Sequence, residues 1–165
     1  MPRLPRRRRL AAVPALALAT LTACGSGDGA RGCGPITRES LDPAYLVHVV
    51  GDDESVAYTS DPPTSGPHQA GPPVEGVVAD PISRPVQVGI LERGDVLLQH
   101  QPDLDAGSVR ALESLAGPGV VVAPNPGLDD PIVATAWLYK RTCTTVDAEA
   151  LRQFIDERVG QGPEG

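Results

Sequence analysis

The stretch Tyr58-Thr59-Ser60-Asp61-Pro62-Pro63-Thr64-Ser65-Gly66-Pro67-His68 separates two parts of this chain that follow different rules. We call residues 58–68 the proline-rich loop. Its three prolines fix φ and remove backbone donors, which excludes a helix or a central strand and predicts a long, ordered surface loop. The loop ends on one of only three histidines in 165 residues. We therefore expect targeting signals before it and the folded core after it.

Regular patterns begin directly downstream of the loop, at Pro85. Residues 86–90 alternate between apolar and polar or small side chains, residues 92–95 have the composition of a turn, and residues 96–100 are again largely apolar. Alternation with period two on both sides of a turn is typical of a β-hairpin. The sequence therefore predicts a hairpin over residues 86–100.

Two helices and further strands are predicted around this hairpin. Asp105 and Asp147 each precede an apolar run of helical period, as N-cap residues do. Apolar residues at 120–123 and 132–139 predict strands, the second with the only tryptophan, Trp137, and residues 46–50 have a strand-like composition. Because no regular β-α-β order is visible, we expect an α+β fold with a small, mainly antiparallel sheet, two helices and the long proline-rich loop.

Basic and acidic residues are distributed unevenly along the chain. Residues 1–23 hold five of the 14 basic residues and no acid, so the rest carries 9 basic and 21 acidic residues, a net charge of −12. So acidic a segment argues against binding to nucleic acid or to anionic lipid headgroups, since both depend on Lys and Arg. Cationic partners or divalent metals suit it better.

The first 23 residues have the pattern of an export signal. Four consecutive arginines precede an apolar stretch that is too short to be a good membrane span. The stretch closes with Leu21-Thr22-Ala23-Cys24, which resembles the lipobox of bacterial lipoproteins. We therefore predict a signal peptide over residues 1–23, lipid such as palmitate on Cys24, and anchoring at the outer, extracytoplasmic face of the cell membrane. The alternative is a short buried helix beside an incidental cysteine.

Residues 24–32 are rich in glycine and predict a flexible tether, with a single domain over residues 33–165. With Cys24 assigned to lipid, Cys33 and Cys143 remain as an even pair in an oxidising compartment, which predicts a disulfide. A free or metal-binding pair of thiols is the alternative.

Several motifs in a fixed order resemble the bacterial family called domain of unknown function 3105. The similarity covers roughly residues 33–165. It rests on residues 62–68, 91–94, 122–127, 134–137, 154–155 and 162–164.

Members of that family typically read His-x-Leu-Glu-His-Gly where this chain has Gly89-Ile90-Leu91-Glu92-Arg93-Gly94, so both histidines are absent here. A tyrosine common at the end of the following strand is replaced by His100. The resemblance implies no established activity.

The candidate site follows from these motifs. His68 with Glu92 and His100 would be a possible copper or zinc site, since imidazole suits both metals. Ser65 lies three residues before His68, but no Gly-x-Ser-x-Gly elbow presents it as a nucleophile. The further loop and pocket candidates are Pro62, Pro63, Ser65, Arg93 and Trp137.

We therefore expect a non-enzymatic module that binds an envelope protein or a small ligand without a cofactor. A copper- or zinc-binding envelope protein is the alternative, and an enzyme comes third.

Overall fold

The computed structural model describes residues 1, 32–51 and 56–164. The predicted signal peptide, Cys24 and nearly all of the tether lie outside the described residues. No helix in the described part is both long and apolar enough to cross a membrane. In chain order the elements are β1 (Thr37–Arg38), β2 (Gly76–Val77), α1 (Arg84–Glu92), β3 (Val96–His100), α2 (Ala106–Glu113), β4 (Val120–Pro124), β5 (Ile132–Ala136), β6 (Tyr139–Cys143) and α3 (Ala148–Arg158).

The strands form one mixed sheet in the order β1-β6-β5-β3-β4-β2. β3 runs parallel to β4 and antiparallel to β5, and β2 is parallel to β4. The expectation of a mainly antiparallel sheet with two helices is therefore wrong, because the sheet is mixed and three helices are present in the described residues. The physical reason is α2, which connects β3 to β4 as a crossover and so makes the two strands parallel.

The predicted hairpin over residues 86–100 is also wrong in its first half. Residues 84–92 form α1, with Pro85 in the first turn, where its missing N–H costs no hydrogen bond. Five consecutive residues of α1, 87–91, are buried. Val86, Val88 and Ile90 also alternate with Gln87 and Gly89, and a segment as short as nine residues can fit both the strand period and the helix period.

The other predicted helices and strands were placed more accurately. Asp105 caps α2 by accepting hydrogen bonds from Gly107 N and Ser108 N, and Asp147 caps α3 by accepting one from Ala150 N. β4 is present as predicted. The long strand predicted at 132–139 ends at Ala136 and turns back as β6, because Leu138 takes a positive φ of 62°. Residues 46–50 form a turn and a single bridge rather than a strand.

The sheet has an apolar cluster on each face. Val96 and Leu98 of β3 point to the face covered by α2 and α3, where Leu112 and Phe154 are buried. Leu97, between them, points to the opposite face, where α1 is packed. We call these the α2/α3 face and the α1 face.

The predicted disulfide between Cys33 and Cys143 is confirmed. The two residues form an antiparallel bridge beside β6 and are both buried. Gly34 N donates to Thr142 O at 2.8 Å, and Thr144 N donates to Gly32 O at 2.7 Å. Backbone hydrogen bonds therefore flank the disulfide on both sides.

Candidate functional site

The second half of the proline-rich loop is packed into the interior of the protein. Residues 62–68 are all buried, which corrects the expectation of a surface loop. Its backbone groups are satisfied by neighbours: Leu138 N donates to Thr64 O at 3.0 Å, and Lys140 Nζ donates to Asp61 O at 3.1 Å. Proline rings supply apolar surface that can be buried at little entropic cost, which favours the packing of residues 62–68 into the interior.

Ser65 holds the loop in place rather than presenting a free hydroxyl. It is 2% exposed, and its Oγ accepts a hydrogen bond from Asp42 N at 2.9 Å. His68 Nδ1 lies 3.3 Å from Gly66 O and not on Ser65. The described contacts therefore support a structural role for this serine.

His68 is brought against Glu92, as the sequence suggested for two of the three predicted ligands. His68 is 2% exposed. Its Nε2 lies 2.7 Å from Oε2 of Glu92, and Glu92 is the last residue of α1. His68 N donates to Val47 O, and Val49 N donates to His68 O, so the loop is also tied to residues 47–49. The His48 ring contacts the His68 ring edge-on, with centroids 4.4 Å apart.

The contact between His68 and Glu92 is a close approach of two titratable side chains. Because Gly66 O can only accept, His68 Nδ1 is the donor there, and Nε2 faces the Glu92 carboxylate. Burial raises the pKa of Glu92, the charges of His68 and His48 oppose that rise, and Glu164 adds to it.

His100 does not join this pair. It lies on β3 in the same orientation as Val96 and Leu98, toward the α2/α3 face, whereas Glu92 belongs to α1 on the other side of the sheet. His100 Nδ1 instead donates to Gln101 O at 2.9 Å. Among the described residues no three His, Cys, Asp or Glu side chains are arranged to hold a metal ion. The predicted set of three copper or zinc ligands is therefore not assembled.

A groove with a volume of about 650 Å³ opens beside the loop. It is lined by Asp61 of the loop, by residues between 74 and 87 that include the start of α1, and by the turn at 125–127. Arg84 Nη2 lies 3.1 Å from Asp61 Oδ2 in this lining, with both side chains about half exposed. We call this space the groove.

Sequence reasoning missed the groove because it treated α1 as a strand. The residues that matter there, Arg84 and Gln87, were assigned no role. Ser83-Arg84-Pro85 could have indicated them, since proline just inside a polar residue is a typical helix start.

Comparison with known proteins gives one result. The family model for proteins of unknown function DUF3105 matches residues 49–165. The chain belongs to the DUF3105 family. No curated protein and no solved structure matches it.

Within this DUF3105 protein, the end of α1 lies against the residue that follows the proline-rich loop. A Cβ on Gly89 would lie 2.8 Å from Gln69 O, so α1 approaches the loop as closely as glycine alone permits. Arg93 donates to Gly89 O at 3.0 Å and pairs with Asp95 at 3.3 Å. These contacts give Arg93 a local structural role at the end of α1.

Trp137, the remaining pocket candidate, is half-buried and packs on the cluster of the α1 face. It does not line the groove. Pro62 and Pro63, within the loop, are buried and do not line the groove either. Of the proline-rich loop, only Asp61 does.

Proposed function

We propose that this DUF3105 protein is a lipid-anchored extracytoplasmic module that binds a small ligand in the groove and catalyses no reaction. The observation that carries the proposal is the groove itself, where the proline-rich loop, the start of α1 and the turn at 125–127 meet. Its volume of about 650 Å³ lies within the range of small-molecule sites. Apolar walls with a few polar groups are also typical of such sites.

Ser65 and His68 both already contact other groups of the protein, which supports a non-enzymatic role. The serine oxygen accepts from a backbone N–H, and the imidazole is paired with Glu92, so neither is aligned with the other as nucleophile and base. Both groups hold the loop, which contributes Asp61 to the groove.

The lipid anchor is proposed from sequence. Leu21-Thr22-Ala23-Cys24 supports acylation of Cys24, and a tether over residues 24–32 would span at most about 30 Å, which keeps the domain close to the membrane. Mass spectrometry of the mature N-terminus tests this part. An unmodified cysteine, or a chain that keeps residues 1–23, would contradict it.

The binding role is tested by screening small molecules against the mature protein in detergent with ligand-observed NMR. Val86→Trp should block the groove and abolish the hits that bind there, because Val86 lines it. The matched control is Val109→Trp, which places the same bulk at a half-buried valine of α2. Loss of binding in both variants, or in neither, would contradict the proposal.

Metal handling is a second candidate, favoured by the His68–Glu92 pair alone. The hydrogen bond from His68 Nδ1 to Gly66 O fixes the orientation of the imidazole. Metal-bound histidines are oriented in the same way by an acceptor on their other ring nitrogen. Titration with Cu(II) and Zn(II) tests it: His68→Ala should remove binding, and His100→Ala should not, because His100 faces the other side of the sheet. Equally weak metal binding by the wild type and His68→Ala would contradict metal handling at this pair.

A further inference from the structure

A loop that follows β1 carries most of the exposed apolar side chains of the described part of the chain. After residue 32, the large apolar residues that are exposed there are Leu41, Leu46, Val47, Val50 and Val77. All but Val77 lie between β1 and the proline-rich loop, and we call residues 41–50 the apolar loop. Exposed apolar residues that are scattered singly need no explanation, whereas a cluster of them marks a contact site.

The backbone of the apolar loop is held by the buried half of the proline-rich loop. Val47 O accepts a hydrogen bond from His68 N at 3.0 Å, and Val49 N donates to His68 O at 2.9 Å. Leu46 is nevertheless 70% exposed and Val50 99% exposed. These side chains are therefore presented on a backbone that is already ordered, so a contact through them costs little conformational entropy.

The surface of the apolar loop carries almost no charge, although the protein is acidic. The chain after residue 23 has 9 basic and 21 acidic residues, but residues 43–51 contain no Asp, Glu, Lys or Arg. The one acid of the loop, Asp42, is buried, and its Oδ1 accepts a hydrogen bond from Ala44 N at 2.8 Å. Tyr45 is half-buried beside Leu46, and tyrosine favours the boundary between an apolar phase and water. The partner of this loop is therefore apolar.

The proposed lipid anchor supplies an apolar partner within reach. Residues 24–32 would join the lipid on Cys24 to Gly32, where the described domain begins, and would span at most about 30 Å. In a protein that is already attached to a bilayer, a second contact with the same bilayer is intramolecular, so a few apolar side chains suffice for it. The acidic residues 52–54 follow the loop in the sequence, which favours shallow insertion over deep insertion.

We propose that the apolar loop docks on the lipid bilayer to which Cys24 is attached. Leu46, Val47 and Val50 enter the boundary between the headgroups and the acyl chains, and Tyr45 lies at the level of the headgroups. The contact orients the domain, with the β1 edge of the sheet toward the bilayer and the β2 edge away from it. This inference rests on the lipid anchor of the proposed function and adds a second membrane contact to it.

The test uses the mature, acylated protein in vesicles of phosphatidylcholine. An environment-sensitive fluorophore is attached through Val50→Cys, and it reacts only there because Cys33 and Cys143 are bonded to each other and Cys24 carries the lipid. Phosphatidylcholine with brominated acyl chains should quench this label. The matched control is the same label attached through Val77→Cys, which is also exposed but lies at the opposite edge of the sheet and should not be quenched.

Two changes should weaken the insertion. Leu46→Asp should lower the ratio of quenched to unquenched label at position 50 about tenfold, because a leucine in contact with acyl chains is replaced by a charge. Val77→Asp is the matched control and should leave this ratio unchanged, and circular dichroism checks that both variants are folded. Replacing half of the phosphatidylcholine with phosphatidylglycerol should also lower the quenching, because the protein and the headgroups are then both negative.

Equal quenching at positions 50 and 77, or quenching that Leu46→Asp leaves unchanged, would overturn the inference. A label with blue-shifted emission that brominated lipid does not quench would also overturn it, since protein, such as a second copy of this chain, would then cover the loop. Mass spectrometry of the same sample separates the two proposals. An acylated Cys24 without quenching contradicts only the docking of the loop, whereas an unmodified Cys24 contradicts the anchor as well.

Discussion

Removal of the Cys33–Cys143 disulfide should destabilise the protein chiefly through its unfolded state. The bond closes a loop of 110 residues, for which the chain-entropy relation gives about 4.8 kcal/mol at 25 °C. In the native state the same two segments are also joined by backbone hydrogen bonds, from Gly34 N to Thr142 O and from Thr144 N to Gly32 O. The native fold should therefore survive without the bond, and the cost should come from the greater freedom of the unfolded chain.

The assay is urea unfolding of the wild type and of the double variant Cys33→Ala with Cys143→Ala, followed by far-UV circular dichroism. With a slope of about 1.5 kcal/mol per molar urea, the midpoint should fall by about 3 M. Wild-type protein reduced before unfolding should behave like the double variant, which separates the bond from the change of side chain. Thiol titration under denaturing conditions confirms the redox state of each sample.

The reasoning would be refuted if the oxidised wild type and the double variant unfolded within about 0.5 M urea of each other. Loss of native circular dichroism in the variant without urea would refute a different step. It would show that the flanking hydrogen bonds do not hold the segments together.

Three further predictions concern single residues. Burial raises the pKa of Glu92 above its usual 4.5, so the native state binds this proton more tightly than the unfolded state, and the resulting stability is lost as pH rises through the native pKa. Glu92→Gln should therefore flatten the fall in unfolding free energy as the pH rises above 4.5, and parallel curves would contradict this. Gln99→Met should raise the free energy of unfolding by about 1–2 kcal/mol, because both amide atoms of Gln99 are buried without a partner in the described residues; destabilisation in urea would indicate an unrecognised partner. Asp147→Ala should lower it by about 1 kcal/mol, since its side chain accepts from Ala150 N at 3.0 Å, and thermal unfolding unchanged by the substitution would count against the cap.

Local signals in the sequence predicted the features that short stretches of chain control. Asp105 and Asp147 were identified as caps because an N-cap bonds to N–H groups two or three residues away. The pairing of Cys33 with Cys143 followed from the number of cysteines and the predicted compartment. Leu138 was harder, since its turn depends on a positive φ that leucine rarely takes.

The candidate site was predicted in part. The structure brings together His68 and Glu92, two of the three residues that the sequence offered as metal ligands. His100 was wrongly placed with them, since a residue on a strand can face either side of a sheet and the sequence around it is apolar on both faces. The groove was not foreseen, because α1 was interpreted as a strand.

The sequence by itself therefore determined the caps of α2 and α3 and the disulfide, since each depends on neighbouring residues or on residue type, whereas export and lipid attachment stay predictions. Only the tertiary structure decided that residues 62–68 are buried, that β3 and β4 are parallel, that His100 faces away from Glu92 and that Arg84 and Gln87 share a groove. The reason is physical: the apolar residues of a segment as short as α1 fit both the strand period and the helix period, and which face a side chain takes depends on what the whole sheet packs against.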